Sequence, residues 1–227
     1  MSLKKGLYVT GGTNGSIYAM DNVTGSVSLL LTSNYALADI AFYQDNLYAV
    51  TASQLLTIEP DTGSCVVVGG LGFVDGAAKL AIASDGKIYC IATPSGSGTG
   101  LYSINSSTGA GTLIGTLASA PASVAIPSHG MAFDTNDNLF DTMPGYNING
   151  QESLSLVPVS LSTGLAQPIN NNIGFNSLCG ITFYAGALYG VTADGTLITI
   201  NAATGTGSLI GNHNTQNLDL HGMTAYC

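Results

Sequence analysis

The chain has 227 residues, only 7% of them charged, with 13 acids against four lysines and no arginine, for a formal net charge of -9. Phosphate neutralisation needs clustered Lys and Arg, so this balance argues against nucleic acid and anionic membranes as partners. Mean hydropathy is +0.34, yet no run approaches the ~20 apolar residues of a membrane-spanning helix, and strands buried on both faces account for it better.

At the start, Lys4 and Lys5 lead directly into a strand pattern at Leu7, so no signal peptide is expected in this stretch. Four strand signals then follow in fixed order. Leu7-Tyr8-Val9-Thr10 precedes Ser16-Ile17-Tyr18-Ala19-Met20-Asp21, the pair Thr24-Gly25, and Leu29-Leu30. At Asp39-Ile40-Ala41-Phe42 a new unit opens and continues through Leu47-Tyr48, Leu55-Leu56-Thr57-Ile58-Glu59, Thr62-Gly63 and Val67-Val68. The third opens at Lys79-Leu80-Ala81-Ile82 and runs through Ile88-Tyr89, Leu101-Tyr102-Ser103-Ile104-Asn105, Thr108-Gly109 and Leu113-Ile114. The fourth, opening at Gly130-Met131-Ala132-Phe133, is ragged: Leu139-Phe140, Leu156-Val157-Pro158-Val159, Thr163-Gly164 and Pro168-Ile169. The fifth opens at Gly180-Ile181-Thr182-Phe183 and continues with Leu188-Tyr189, Leu197-Ile198-Thr199-Ile200-Asn201, Thr204-Gly205 and Leu209-Ile210. A final Gly222-Met223-Thr224-Ala225 lacks a following Leu-Tyr, and the unmatched Leu7-Tyr8 at the other end supplies it.

Thr-Gly falls in register in all five units, and glycine tolerates the positive φ that a tight turn demands, so these pairs mark the turn from third to fourth strand. Successive pairs start at 24, 62, 108, 163 and 204. Four strands at such a period make a β-propeller blade. The expected fold is therefore all-β: one five-bladed propeller domain over residues 1–227, with four antiparallel strands per blade. Counted from the Leu-Tyr strand, so that each inner motif ends one unit and supplies the innermost strand of the next blade, its repeat units are approximately 6–45, 46–86, 87–137, 138–186 and 187–227, and the C-terminal strand closes the ring on the N-terminal blade. Closure removes edges that would otherwise template aggregation. In blade four, Pro158 and Pro168 each remove a ladder donor.

With these motifs the chain resembles, across all five units, the YncE-like and NHL-like repeat propellers, whose blades read Gly-Ile-Ala-Phe, Leu-Tyr, an Ile-Asp or Ile-Asn strand and Thr-Gly. The resemblance implies the scaffold and transfers no functional residue.

Connections from outer to next inner strand, and from second to third, share one face, where residues 115–128, 141–152, 170–178 and 211–220 form long loops. Variable loops on a rigid scaffold commonly carry function. Tyr35, Phe73 and Phe175 recur there at nearly one phase beside Asn34, Asp75 and Asn176. Aromatic faces with neighbouring amides and carboxylates suit sugars; alternatively the rings plug gaps between blades. His129, Cys179 and His221 precede the innermost strand on three consecutive blades and are candidate metal ligands. Asp39 and Lys79 replace the glycine of that motif on neighbouring blades and form a candidate inter-blade ion pair, or two solvated charges.

The cysteines Cys65, Cys90, Cys179 and Cys227 fall at unrelated phases and are expected as free thiols. A five-bladed glycosidase needs converging carboxylates, whereas Asp75, Asp141, Glu152, Asp194 and Asp219 are scattered over loops. No nucleophile, phosphate-loop or dinucleotide motif is present, and no cofactor is expected. These features favour a non-enzymatic propeller presenting one face to a glycan or protein surface, at a cell exterior or on a virion. A structural or host-attachment component of a phage-like particle, and a glycoside hydrolase using loop carboxylates, are the alternatives.

Overall fold

The computed structural model describes residues 3–11, 15–73, 76, 79–95, 98–117, 128–146, 152–167, 172–212 and 218–227. Among these, every regular element is a β-strand. Blade 1 orders its strands, from inside out, as β19 (Leu220–Tyr226), β1 (Gly6–Gly11), β2 (Ser16–Met20) and β3 (Val27–Thr32). Blade 2 follows with β4 (Asp39–Tyr43), β5 (Asn46–Val50), β6 (Gln54–Ile58) and β7 (Cys65–Gly70). Blade 3 has β8 (Lys79–Ile82), β9 (Ile88–Ala92), β10 (Gly100–Ile104) and β11 (Gly111–Thr116). Blade 4 has β12 (Met131–Phe133), β13 (Leu139–Tyr146) and β14 (Glu152–Val159); blade 5 has β15 (Leu178–Tyr184), β16 (Ala187–Thr192), β17 (Thr196–Ile200) and β18 (Gly207–Asn212). The inner strands neighbour one another in the order β19, β4, β8, β12, β15 and back to β19. The ring is a five-bladed propeller, closed where Gly6 pairs with Tyr226 and Leu7 with Ala225.

The two sequence signatures interlock between blades. Phe42 of β4 packs on Tyr8 of β1, Phe133 of β12 on Tyr89 of β9, and Phe183 of β15 on Phe140 of β13, with ring centroids 5.4, 5.5 and 5.8 Å apart. In these three blades the aromatic ending the inner motif thus sits on the aromatic of the preceding blade's second strand. Accordingly the core is divided into five buried clusters, one at each blade junction. Burying an aliphatic side chain contributes roughly 1.5–3 kcal/mol, and Leu7, Leu47, Ile88, Leu139 and Leu188 each place one in these clusters.

The Thr-Gly turns adopt the expected geometry: Gly25, Gly63, Gly109, Gly164 and Gly205 have φ between 73° and 75°. A side-chain oxygen starts several of them, Asp21 Oδ1 accepting from the amides of Val23 and Thr24 and Asn201 Oδ1 from those of Ala203 and Thr204. The turns at Gly25, Gly63, Gly109 and Gly164 also pack on the preceding blade. A Cβ on Gly69 would lie 1.9 Å from the Thr108 carbonyl oxygen, and one on Gly115 2.0 Å from that of Thr163.

Among the described residues blade 4 has three strands, and beyond β14 an isolated bridge joins Val159 and Ala166; Pro168 lies outside the described residues. Pro158 is accommodated inside β14, opposite Phe140. Its hairpin is longer than predicted: residues 141–146 belong to β13 rather than to a loop.

In the other four blades the outer strand carries a bulge at one phase, leaving Leu30, Val68, Ile114 and Ile210 between consecutive pairs. A bulge twists an edge away from regular pairing. Leu29, Val66, Val67, Leu113 and Leu209 stand exposed on these outer strands.

Candidate functional site

The residue opening each inner motif decides what enters the channel. Three blades use glycine, because a Cβ there would collide with the next blade: 2.7 Å from Ile181 N at Gly130 and 2.6 Å from Met223 N at Gly180, while at Gly222 it would strike Asp39 Oδ1. In the other two blades, Asp39 and Lys79 send side chains into this space, and both are buried, at 2% and 8% exposure.

The Asp39 carboxylate joins three blades. Oδ1 accepts from Ile40 N at 2.9 Å on its own blade, Oδ2 from Leu80 N at 2.9 Å on blade 3, and the Met223 amide of blade 1 also donates to it. Lys79 spans the channel in the other direction, donating from Nζ to the carbonyls of Cys179 on blade 5, at 2.9 Å, and His221 on blade 1. Those carbonyls are free because β15 and β19 each shift register there, Leu178/Gly180 and Leu220/Gly222 being the flanking paired residues. The two charges attract each other, since Lys79 lowers the Asp39 pKa. Each nevertheless directs the hydrogen bonds described here to backbone, so the motif is a buried hub rather than either the simple ion pair or the two solvated charges that the sequence left open.

A second carboxylate belongs to the hub. Asp141 lies in β13 at the phase of Val9, Ala49, Cys90 and Gly190, and is fully buried, in contrast to the loop position expected. Its Oδ1 accepts from Ser128 Oγ at 2.6 Å and Thr142 N at 2.8 Å, while Oδ2 is buried with no partner among the described residues. Burial pushes Asp141 up to about 7 and Asp39 to about 6, against the opposing pull of their hydrogen bonds and of Lys79. Desolvation disfavours the charged form of each acid.

The predicted metal ligands do not share a site. His129 Nδ1 donates to the Leu178 carbonyl at 3.0 Å, Cys179 Sγ to that of Val191 at 3.4 Å, and His221 Nε2 lies 3.5 Å from Asp219 Oδ2. Burial lowers the His129 pKa and pushes the Cys179 thiol up to about 12. Among the described residues no three His, Cys, Asp or Glu side chains are grouped to hold a metal ion. The Lys79 ammonium instead occupies the carbonyls that these strands turn inward.

The three aromatics occupy equivalent places at separate blade junctions. Phe73 packs on Tyr102 at 4.7 Å, and the Cβ-free Gly111 lets its ring edge approach; Phe175 sits the same way over Gly207. Tyr35 packs beside Cys65, which stands at that phase in blade 2. All three are half-buried, with Asn34 and Asn176 exposed beside them. Asp75 lies outside the described residues, as do most of the long connections at 118–127, 147–151, 168–171 and 213–217. Glu152 opens β14. Asp194 accepts from the hydroxyls of Thr192 and Thr196 in the turn between β16 and β17. The four cysteines are free thiols.

No protein-family model matches the chain, and no curated protein matches it in sequence. Solved structures share its fold. A nidogen/laminin complex matches with a TM-score of 0.55 at 10% identity, over 99% of both chains. TolB from Acinetobacter baumannii matches at 0.53 and 14%, over 91% of this chain and 52% of its own. The extracellular domain of BT4673 from B. thetaiotaomicron matches at 0.52 and 17%, over 93% of this chain and 27% of its own. The chain thus spans about half of one neighbour and about a quarter of another. At such identities the likeness is one of scaffold, the repeat propeller that the sequence motifs resemble.

Proposed function

We propose that the protein is a non-enzymatic binding module that presents the face of its long connections to a glycan or a protein surface. The observation that carries this reading is the contrast between the faces. Turns on one side repeat the Thr-Gly geometry with nearly constant φ, whereas connections on the other differ in length and sequence around a channel end closed by Lys79. Rigid support beneath variable loops is the arrangement binding surfaces use. Exposed Asn34, Asn176 and Asp219, with half-buried Tyr35 and Phe175, offer amide, carboxylate and ring edges on this side. Asp39 and Asp141, buried and held by backbone or Ser128, are poorly disposed to act as a glycosidase pair, which needs two carboxylates facing a substrate. An exterior setting, at a cell surface or on a virion, fits a chain so poor in charge, and one scaffold neighbour is described as an extracellular domain.

A glycan array probed with the full chain tests the reading, together with Tyr35→Ala, Phe73→Ala and Phe175→Ala. Weakened glycan binding with folding retained supports a sugar platform. A stability loss of about 3–5 kcal/mol in each variant, the usual range for a truncated buried Phe, with no glycan bound by the parent, rejects it and leaves a protein surface as the partner to seek.

A further inference from the structure

We propose that the ligand of the loop face is an uncharged glycan, built of neutral sugars rather than of sialic or uronic acids, sulfated sugars or amino sugars. The inference rests on the glycan reading above and narrows it to one ligand class.

The chain's cations decide what this face refuses. There are four, all lysines, and all lie within the described residues. Lys4 and Lys5 line a hollow beside Asp21 and Ser26 at the short-turn end of blade 1, and Lys87 lies in the turn between β8 and β9, paired to Asp85 at 2.6 Å. Lys79 is buried and directs its ammonium to the carbonyls of Cys179 and His221. No lysine or arginine therefore stands on the loop face. Carboxylate and sulfate groups are recognised chiefly through charge-assisted bonds from Lys and Arg, and a net charge of -9 repels anions at longer range. An acidic glycan finds no cation there to offset its desolvation.

Acids are as unevenly divided. Of the 13, seven fall in the short turns, among them Asp21, Asp45 and Asp85, and Asp39 and Asp141 are buried in the hub, which leaves Asp75, Glu152, Asp194 and Asp219 for the connections of the loop face. Asp194 accepts from the Thr192 and Thr196 hydroxyls, and Asp219 Oδ2 lies 3.5 Å from His221 Nε2. An amino sugar thus meets two acids already engaged within the protein.

In place of charge the face offers amides. Asn170-Asn171-Asn172 and Asn214, Gln216 and Asn217 fall by sequence in the connections leading into β15 and β19. Asn34 and Asn176 stand exposed on backbone that is held in place: the buried Ser33 Oγ bonds both the amide and the carbonyl of Tyr35, and the Ser177 carbonyl accepts from Ala193 N at 2.9 Å. A side-chain amide pairs a donor with an acceptor, as a sugar's neighbouring hydroxyls do, and carries no charge. Half-buried Tyr35 and Phe175 beside them add apolar surface for the C–H face of a sugar ring.

The test is an array of neutral, anionic and amino-sugar glycans, probed with the full chain at about 20 and about 500 mM NaCl, where surface charge is little and strongly screened. Binding to neutral members at least about tenfold above their sialylated or sulfated counterparts, and changed less than about twofold by salt, is expected. Preferred binding of anionic or amino-sugar members, or a steep loss of binding in high salt, overturns the inference and leaves the glycan reading standing. Binding to no member at either salt concentration rejects that reading and the inference with it.

Discussion

The Lys79 ammonium lies 2.9 Å from the carbonyl oxygen of Cys179, two blades away around the ring. Neighbouring blades are already joined by their packed junctions, so a bond across the channel adds a restraint that the junctions do not supply. Lys79→Met keeps the stem and deletes the charge, leaving two carbonyls unpaired and two buried acids without their cation. Removing one partner of a buried pair costs about 3–5 kcal/mol. Chemical denaturation at pH 7 should show a loss of this size, and an unchanged midpoint would remove Lys79 from the account of stability.

Stability should fall as pH rises through neutrality. Asp39 and Asp141 titrate at about 6 and about 7 in the folded chain, above the ~3.9 of an unfolded Asp. The folded state therefore binds more protons between these values, and the stabilisation, complete below the unfolded pKa, is lost as pH passes 6 to 7. His129, whose pKa is lowered by burial, acts in the opposite sense, weakening the fold as pH falls through its unfolded range. Asp141→Ala restores the residue type of Ala49 and should flatten the decline between pH 5.5 and 8. Denaturation midpoints of parent and variant at both pH values decide it: parallel profiles would show that Asp141 is not the titrating group.

Two glycines separate close approach from backbone conformation. Gly115→Ala puts a methyl 2.0 Å from the Thr163 carbonyl oxygen and forces two blades apart; such overpacking costs about 1–3 kcal/mol or more. Gly186→Ala meets no atom within 4 Å and bears only the strain of φ +81°, about 1–2 kcal/mol. Thermal midpoints should rank Gly115→Ala below Gly186→Ala, and the reverse order would refute the inter-blade contact.

Deleting residues 220–227 removes β19, leaving β1 unpaired on its inner side and Phe42 without Tyr226, whose ring lies 5.1 Å away. Size-exclusion chromatography should show aggregation or unfolding. A soluble monomer of parental midpoint would mean that ring closure contributes nothing to stability.

Thiol accessibility should divide the cysteines. Exposed Cys227 and half-buried Cys65 should react with a thiol reagent in the native chain, although burial raises the Cys65 pKa. Cys90, fully buried with its thiol pushed up, should react only on unfolding, and Cys179 slowly. Rapid native labelling of Cys90 would contradict the packing of the junction between blades 2 and 3.

What was legible in the sequence depended on how locally it was determined. A Thr-Gly turn is fixed by residues within one hairpin, and the inner motif by alternation within one strand, so period and phase were readable without coordinates. Asp39 and Lys79 were visible as departures from glycine, but their partners were not. A lysine reaching Cys179 and His221 requires the ring to bring residues 100 and 142 positions apart into contact. Asp141 stood at a core phase directly after Leu139-Phe140, and that signal could have placed it. Beyond it β13 continues through Pro144 and Gly145, opposite Leu154 and Ser153, although proline and glycine are unusual inside a strand. The Phe73 and Phe175 seats depend on Gly111 and Gly207, each more than thirty residues downstream, which no local pattern connects.

Pairing β1 with β19 also sets an order of events in time. The strand beginning at Gly6 leaves the ribosome some two hundred residues ahead of its inner partner, which ends at Tyr226. Blades 2 to 5 can assemble from contiguous chain as it appears, whereas blade 1 must wait with a bare inner edge. Contacts of such sequence separation form slowly, and unpaired edges are prone to misassociation during the interval. The final hairpin-like zipping of Leu7 onto Ala225 is thus the step at which nascent chains are most open to capture by one another, and chaperone holding of blade 1 would act there.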